Sequence, residues 1–467
     1  MNIQYDLDKK TKMKLNATIP LLKAMFKVYP YVPDEVLLFA MKKMFGENQY
    51  PYGQMFLERA LVTMKRVFKT ANPKCREAII NNMVVNEGII GQQKRKKITA
   101  QLGFDIPLLL VISPTQRCPL KCYGCYSAEQ NKFEDLPFEV LDRLITEAKE
   151  MGQYFFVISG GEPFIYKGIF DLWKKHSDAY FQVYTSGVTL AKGDDVAKIA
   201  ELGNVFPCIS VEGFEKETEE RRGKGHYRRI LDAMANLRKA GVPFGYSATA
   251  TSQNNDLIVS DELVDFYVNQ GCSVGYYFQY MPIGRSPVFE LVPTTSQRLY
   301  RYERINTIRE ERKDIVFAEF WCDGPLVGGC LAGGRRYLHI NSKGDVEPCV
   351  FAQAYDSNIK EKSLMEILQT SKLLASIRKR QPYSENLLRP CMVIDVPEKW
   401  QEVLKESGAT LSYPTADNVA SNLVDQVNKL SDEWKKVTDP IWYGRYHKRY
   451  QEHIEYTTRM REKFVQK

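Results

Sequence analysis

The sequence predicts an α/β fold: a partial, TIM-like (β/α)6 barrel with a helical N-terminal segment, a small cysteine-bearing hairpin extension and a helical C-terminal tail. Three observations predict it. Apolar, β-branched or aromatic runs recur at residues 108–113, 154–159, 180–185, 205–211, 242–250 and 274–281. Segments of helical period separate them, and small or polar residues close most of the runs. Six βα units in series make a parallel sheet with right-handed crossovers, whose working face lies at the C-terminal ends of its strands.

The first run, Leu108–Ser113, leads straight into Cys118-Pro-Leu-Lys-Cys122-Tyr-Gly-Cys125. Three thiols in one short loop reach a common centre, and thiolates select iron–sulfur clusters, zinc or Cu(I) over hard cations. Other readings stand beside the cluster. Zinc takes four ligands in paired spacings, and no second Cys or His pair is close in sequence. A redox pair of Cys122 and Cys125 leaves Cys118 unexplained. Structural thiols are scattered, whereas these are grouped.

Between the next runs, Val140, Leu141, Leu144, Ile145 and Ala148 mark one helix, and Ile230, Leu231, Met234 and Leu237 another. Gly152 and Gly241 follow their last turns, where a helix end favours glycine. Ser159-Gly-Gly-Glu-Pro163 closes the second strand, and its glycines suit close approach of backbone to a ligand. Thr185-Ser-Gly187, Ser210-Val-Glu-Gly213 and Met281-Pro-Ile-Gly284 close the third, fourth and sixth. Each alone is an ordinary turn; together they line one rim with the cysteine loop.

On Cys118-x3-Cys122-x2-Cys125 and Gly160-Gly161-Glu162-Pro163, residues 105–285 resemble the radical S-adenosylmethionine superfamily. The resemblance implies that the three cysteines hold a [4Fe–4S] cluster whose fourth iron chelates S-adenosylmethionine. It implies that Gly160, Gly161 and Glu162 hold the methionine amino group. Ser186 would lie near the ribose, Ser210 and Arg222 near ribose and carboxylate, and the backbone around Met281 at the adenine. A reduced cluster then cleaves the sulfonium to a 5′-deoxyadenosyl radical, which takes hydrogen from an unactivated carbon. A one-electron donor such as flavodoxin or ferredoxin is the implied partner. Two positions depart from the family pattern: Gly124 stands where an aromatic is common, and Ser186 where asparagine is frequent.

Of the ten cysteines, Cys75, Cys208 and Cys272 read as small buried apolar residues. Cys330 precedes a hairpin, Tyr337 to Cys349, turning at Ser342-Lys-Gly344. The spacing Cys330-x13-Gly344-x4-Cys349 with a later Cys391 resembles the SPASM or twitch extension, implying one auxiliary [4Fe–4S] cluster. Cys330, Cys349 and Cys391 are its expected ligands, with Cys322 as a fourth; zinc or free core thiols are the alternative. Three ligands would leave an iron open for substrate, and four would suit electron transfer or structure. His339, in the hairpin, reads as a packed or hydrogen-bonded residue rather than a ligand.

The four regions are residues 1–100, 101–290, 291–400 and 401–467. The chain is 44% hydrophobic and 26% charged, ordinary for a globular protein, with no signal peptide and no apolar run of transmembrane length. Thiols meant for clusters need a reducing compartment, hence a cytoplasmic expectation. The first hundred residues carry +10, the whole chain +8. Pro33-Asp-Glu35 starts a helix there and Gly46 ends it. Leu57, Ala60, Leu61, Met64, Val67 and Phe68 form a stripe flanked by Arg59, Lys65, Arg66 and Lys69, expected to dock on the barrel; peripheral membrane contact is the other reading. Lys94-Arg-Lys-Lys97 reads as a solvated linker, and no nucleic-acid module surrounds it. The tail, with Trp434, Trp442, Tyr443, Tyr446 and Tyr450, suits packing across the barrel mouth or a partner surface. The expected substrate is a peptide or protein; a lipid or other apolar small molecule is the alternative, and a non-catalytic iron–sulfur protein a third. The helical leading segment, without a three-stranded wing, weighs against a leader-guided maturase.

Overall fold

A computed structural model of the chain describes residues 6–45, 53–127, 134–311 and 314–455. The N-terminal segment is helical. Helix α1 (Lys9–Val28) is capped by the Asp8 side chain, which accepts Thr11 N–H at 2.9 Å. Helix α2 (Asp34–Phe45) opens with Asp34 and Glu35 beside the positive helix end; its predicted stop, Gly46, lies outside the described residues. Helix α3 (Gly53–Thr70) carries the predicted stripe, with Val67 and Phe68 buried. Helix α4 (Pro73–Ala78) runs through a π-helical stretch, Ile79–Gly91, into α5 (Gln92–Leu102).

These helices close the base of the barrel. Asn82 donates to the Ser177 and Ala179 carbonyls at 2.8 and 2.9 Å, Arg66 to those of Cys272 and Asp314, and Asn72 to that of Ala240. The carbonyls of Ser177, Ala179, Cys272 and Asp314 lie just before a strand, and that of Ala240 ends the helix ahead of one. A Cβ on Gly241 would stand 2.8 Å from Asn72 N, and one on Gly152 2.6 Å from Gly91 O, so both glycines also admit the base helices. The basic run 94–97 is not a linker. It lies within α5, where Arg95 pairs with buried Glu87 at 2.7 Å and Lys94 donates to the Lys149 carbonyl.

The sheet follows the predicted runs closely: β1 (Leu109–Ile112), β2 (Phe155–Ile158), β3 (Tyr180–Thr185), β4 (Val205–Val211), β5 (Gly245–Ala250) and β6 (Val274–Gln279). The connecting helices are α6 (Phe138–Glu150), α7 (Ile169–Lys175), α8 (Asp194–Leu202), α9 (Glu215–Arg222), α10 (His226–Lys239) and α11 (Asp261–Gln270). The sheet extends past residue 290, because α12 (Thr295–Glu311) returns a further parallel strand, β7 (Val316–Glu319), to the edge of β6. After the short α13 (Gly324–Val327), the predicted hairpin forms from β8 (Tyr337–Ile340) and β9 (Val346–Glu347). Strand β8 pairs parallel to β1, Leu109 opposite Tyr337 and Ile112 opposite Ile340. The resulting nine-stranded sheet runs β7-β6-β5-β4-β3-β2-β1-β8-β9. Leu144, Phe156, Trp173, Phe181, Met234 and Leu263 fill its helix-covered face, and Cys75, Cys208 and Cys272 are fully buried there as small apolar residues.

Beyond the hairpin come β10 (Ala354–Tyr355), α14 (Leu364–Thr370), α15 (Lys372–Arg378), α16 (Pro397–Ser407), β11 (Thr410–Leu411, antiparallel to β10) and α17 (Val424–Ile441). The tail packs on α12: Trp434, Trp442, Tyr446 and Tyr450 are buried with Tyr302, Leu387 and Leu388, while Tyr443 is exposed. Leu430 joins Tyr280 and Leu291 beside Tyr123, so α17 also reaches the rim.

Candidate functional site

The first cysteine loop leaves β1 and is fixed by backbone on two sides. A Cβ on Gly161 would stand 2.6 Å from Gln116 O, and Gly161 N and Glu162 N each donate at 2.9 Å to Thr115 O and Arg117 O. The paired glycines therefore serve close passage against the cysteine loop itself. On the other side, Arg285 N donates to Cys125 O at 3.0 Å, and a Cβ on Gly284 would lie 2.6 Å from Tyr126 Cα. Gly124 has φ 60°, and a Cβ there would meet the Tyr280 ring at 2.7 Å. That accounts for glycine where an aromatic was expected: Tyr280 occupies the space.

Cys118, Cys122 and Cys125 act on one another within this loop. Burial pushes the Cys118 thiol up to about 12, and Cys122 and Cys125 add to the shift. Burial likewise raises Cys125, with Cys122 reinforcing it. Such thiols give up their protons to a metal rather than to water.

Around them the rim is polar and buried. The Glu162 carboxylate, with no exposure, accepts from Thr185 Oγ1 at 2.8 Å, Ser186 N at 2.8 Å and Ser186 Oγ at 2.5 Å. It is thus engaged as a strut tying the end of β2 to the end of β3. Ser210 Oγ lies 3.4 Å from Ser247 Oγ on the neighbouring strand. Met281 buries its side chain toward the auxiliary region, and its carbonyl accepts Ile283 N–H at 2.8 Å. Glu212 Oε1 accepts from Arg221 at 2.6 Å and from Arg222 Nε and Nη2 at 2.9 and 2.5 Å. Burial works against the Arg222 charge, but Glu212 and the Cys122 and Cys125 sulfurs outweigh it and hold its pKa above the usual value. Glu212 Oε2 is buried with no hydrogen-bond partner among the described residues. His226, beside Arg222, is lowered to about 4 by burial and by Arg222 and Arg229, so it is neutral.

Cys330, Cys349 and Cys391 form a second group. Burial pushes Cys330 up to about 12, with Cys349 adding to it, and Cys391 rises through burial, Asp395 and Cys330. The Tyr337 hydroxyl lies 3.1 Å from Cys349 Sγ, and Asp395 accepts Cys391 N–H at 3.0 Å while Arg298 grips the same carboxylate. Cys322 does not join them. It packs in the cluster of Tyr302, Leu387 and Trp434, facing Glu319, Arg298 and Arg301. Cys322, the expected fourth ligand, thus packs in a different apolar cluster from Cys330, Cys349 and Cys391.

Among the described residues no three Cys, His, Asp or Glu side chains converge on one metal ion. A cubane distributes its thiolates over different irons, and both groups suit it in donor type, three soft sulfurs each. Beside the first group, the Arg222 guanidinium, held by Glu212, matches a ligand bearing a carboxylate.

Tyr126 links the two groups. Its hydroxyl lies 2.9 Å from Ser159 Oγ, its ring meets Phe351 edge-on at 5.5 Å, and Phe351 contacts Trp321 at 5.4 Å. His339 is hydrogen-bonded rather than ligating: Ser113 Oγ lies 2.8 Å from Nε2, and Glu347 2.5 Å from Nδ1. Sequence reasoning assigned no role to Thr185 or Glu212, although both lay in the rim segments it singled out. Asp395 and Arg298 carry no local signal, being 97 residues apart.

Residues 112–256 match the family model for the radical SAM superfamily, and residues 330–392 that for an iron–sulfur cluster-binding domain, SPASM. The second match includes Cys330, Cys349 and Cys391 and excludes Cys322. The chain is 25% identical over 302 residues to an AdoMet-dependent heme synthase of Methanosarcina barkeri, covering 59% of this chain and 85% of the relative. It is 26% identical to a PqqA peptide cyclase of Bradyrhizobium diazoefficiens (56% and 71% covered) and 23% identical to the sporulation killing factor maturation protein SkfB of Bacillus subtilis (62% and 70%). Its fold is similar to that of Streptococcus suis SuiB bound to S-adenosylmethionine, with TM-score 0.53, 22% identity, and 62% and 72% of the two chains covered.

Proposed function

We propose that this chain, a radical S-adenosylmethionine enzyme with a SPASM-type auxiliary domain, activates a C–H bond in a peptide or protein. When bound and reduced, the [4Fe–4S] cluster supplies the electron that cleaves S-adenosylmethionine to methionine and a 5′-deoxyadenosyl radical. Cys118, Cys122 and Cys125 are its proposed ligands. Arg222, held by Glu212, would face the cofactor carboxylate, with Ser210 near it; the Gly160–Glu162 backbone would face the amino group. Glu162 would act mainly by fixing Ser186 near the ribose, and the strand end at Met281 would flank the adenine. Cys330, Cys349 and Cys391 are the proposed ligands of one auxiliary [4Fe–4S] cluster, leaving a coordination position outside the cysteine set. A flavodoxin or ferredoxin would deliver the electron. The chain would comprise a base (1–100), core (101–290), auxiliary region (291–400) and tail (401–467), with α12 and β7 extending the core sheet.

One observation carries the reading: three thiols in a single rim loop pinned by backbone to the Gly161–Glu162 turn, with the Arg222 guanidinium held on the same rim by buried Glu212. Two relatives named as a peptide cyclase and a killing-factor maturation protein support a peptide substrate. The lipid alternative rested on the basic helices approaching a membrane with the substrate, and those helices close the base, opposite the mouth. Anaerobic reconstitution tests the chemistry: adding S-adenosylmethionine and dithionite should yield 5′-deoxyadenosine, and Cys122→Ala should abolish it. Untargeted mass spectrometry of cells with and without Cys122→Ala should then reveal a mass change on a peptide or protein. A change confined to lipids, or no 5′-deoxyadenosine at all, sinks the assignment.

A further inference from the structure

Among the described residues, eleven large apolar side chains stand exposed, and seven of them fall between Met13 and Phe39. On α1, Met13, Leu21, Met25 and Val28 are 57–69% exposed, and with Ala17 and Ala24 they recur at helical spacing along one face. The opposite side of α1 is occupied, Phe26 and Tyr29 lying against Phe68. The same helix carries six lysines and no Asp or Glu. Lys12, Lys23 and Lys27 follow one edge of the apolar stripe. Lys23 and Lys27 then join Lys69 and Arg76 around a cavity of about 540 Å³, with Phe26 and Phe68 among its lining residues. Glu77 is its one carboxylate.

We propose that this surface docks on an anionic phospholipid bilayer, with α1 lying at the headgroup–acyl boundary and the cationic cavity taking a phosphate-bearing headgroup. An apolar stripe on a helix with six lysines and no carboxylate of its own, Lys12 pairing with Asp6 outside it, is the pattern of an interfacial helix, and its charge complements an anionic leaflet. An acidic peptide would satisfy the lysines yet leave the projecting stripe in water. Lys65 and Arg66 are not part of this surface: Lys65 pairs with Asp34 at 2.6 Å and Arg66 binds carbonyls at the barrel base. Because α1 lies on the base, the bilayer acts as a tether, and the mouth at the opposite end stays open to a water-borne substrate.

The test is sedimentation of the full-length chain with vesicles of phosphatidylcholine containing phosphatidylglycerol, against phosphatidylcholine alone. The wild type should pellet with the anionic vesicles and be released by salt. Leu21→Glu with Met25→Glu, and separately Lys23→Glu with Lys27→Glu, should each lower the partition about tenfold or more, with circular dichroism unchanged. Failure of the wild type to pellet, or equal pelleting of wild type and variants, overturns the proposal. So does retention by an acidic peptide without vesicles, or a stripe effect seen only in the oligomeric state of the protein alone. Formation of 5′-deoxyadenosine is measured separately, so loss of the tether and loss of the radical chemistry are distinguishable.

Discussion

Glu212 holds two buried guanidiniums with a single oxygen, which makes it the electrostatic pivot of the rim. Replacing it by Gln keeps the shape and removes the charge, so Arg221 and Arg222 lose their counter-ion inside the protein. Breaking such a buried pair costs about 3–5 kcal/mol. Glu212→Gln should lower the denaturant midpoint accordingly and weaken S-adenosylmethionine binding to the reconstituted enzyme; an unchanged midpoint would refute the pivot. His226 gives a pH signature. Its folded pKa, about 4, lies below the ordinary 6.5, so between those values the unfolded chain binds the extra proton and stability falls as pH falls. The slope from this group is at most about 1.4 kcal/mol per pH unit. His226→Leu should flatten the wild-type curve between pH 6.5 and 4; a difference confined to higher pH would contradict the assignment. At this scale the cysteine spacings were legible because ligands crowd into short loops. The role of Glu212 was not, because it depends on an arginine pair reaching back from the next helix.

The hairpin shows how an element's position, unlike its existence, escapes local reading. Alternation from Tyr337 and the glycine turn at Gly344 announced β8 and β9, and Gly344 does take φ 89°. Nothing within four residues announced that β8 would lie parallel to β1, more than two hundred positions earlier. The pairing is locked by polar groups: Ser113 at the end of β1, His339 on β8 and Glu347 on β9 form one buried chain, and Asn341 donates to the other Glu347 oxygen at 3.1 Å. Through it the auxiliary hairpin is fixed to the strand that feeds the first cysteine loop. His339→Leu would leave Ser113 and Glu347 buried without this partner, at about 1–3 kcal/mol or more for the charged group. Hydrogen exchange should speed up at Tyr337–Ile340 and Leu109–Ile112 together; exchange confined to the hairpin would show that the two are not coupled. Strand β7 escaped notice for a related reason, since Val316-Phe-Ala-Glu319 is a short run whose place is set by the sheet edge it joins.

Across the whole molecule, chemistry and scaffold sit at opposite ends of the sheet. Both cysteine groups and the Tyr126–Phe351–Trp321 contact gather beyond the C-terminal strand ends, while the helices of residues 6–102 seal the N-terminal ends. The charge imbalance of the first hundred residues was legible in sequence, but its disposition was not. Arg66 and Arg95 turned inward onto carbonyls and Glu87, and Lys9, Lys12, Lys23 and Lys27 of α1 faced out. Asn82 tests this separation of ends. It is 3% exposed and supplies the donors for both Ser177 O and Ala179 O, the carbonyls just ahead of β3. Asn82→Ala takes the Asn82 donor from part-buried Ser177 O and leaves buried Ala179 O with Asn204 alone, and the loss of such bonds costs about 1 kcal/mol each. If the base is scaffold alone, the melting temperature should fall while 5′-deoxyadenosine formed per bound iron stays at the wild-type value below the transition. A variant that melts normally yet forms several-fold less 5′-deoxyadenosine would instead mean that the base transmits strain along β3 to Thr185, Ser186 and the Glu162 strut.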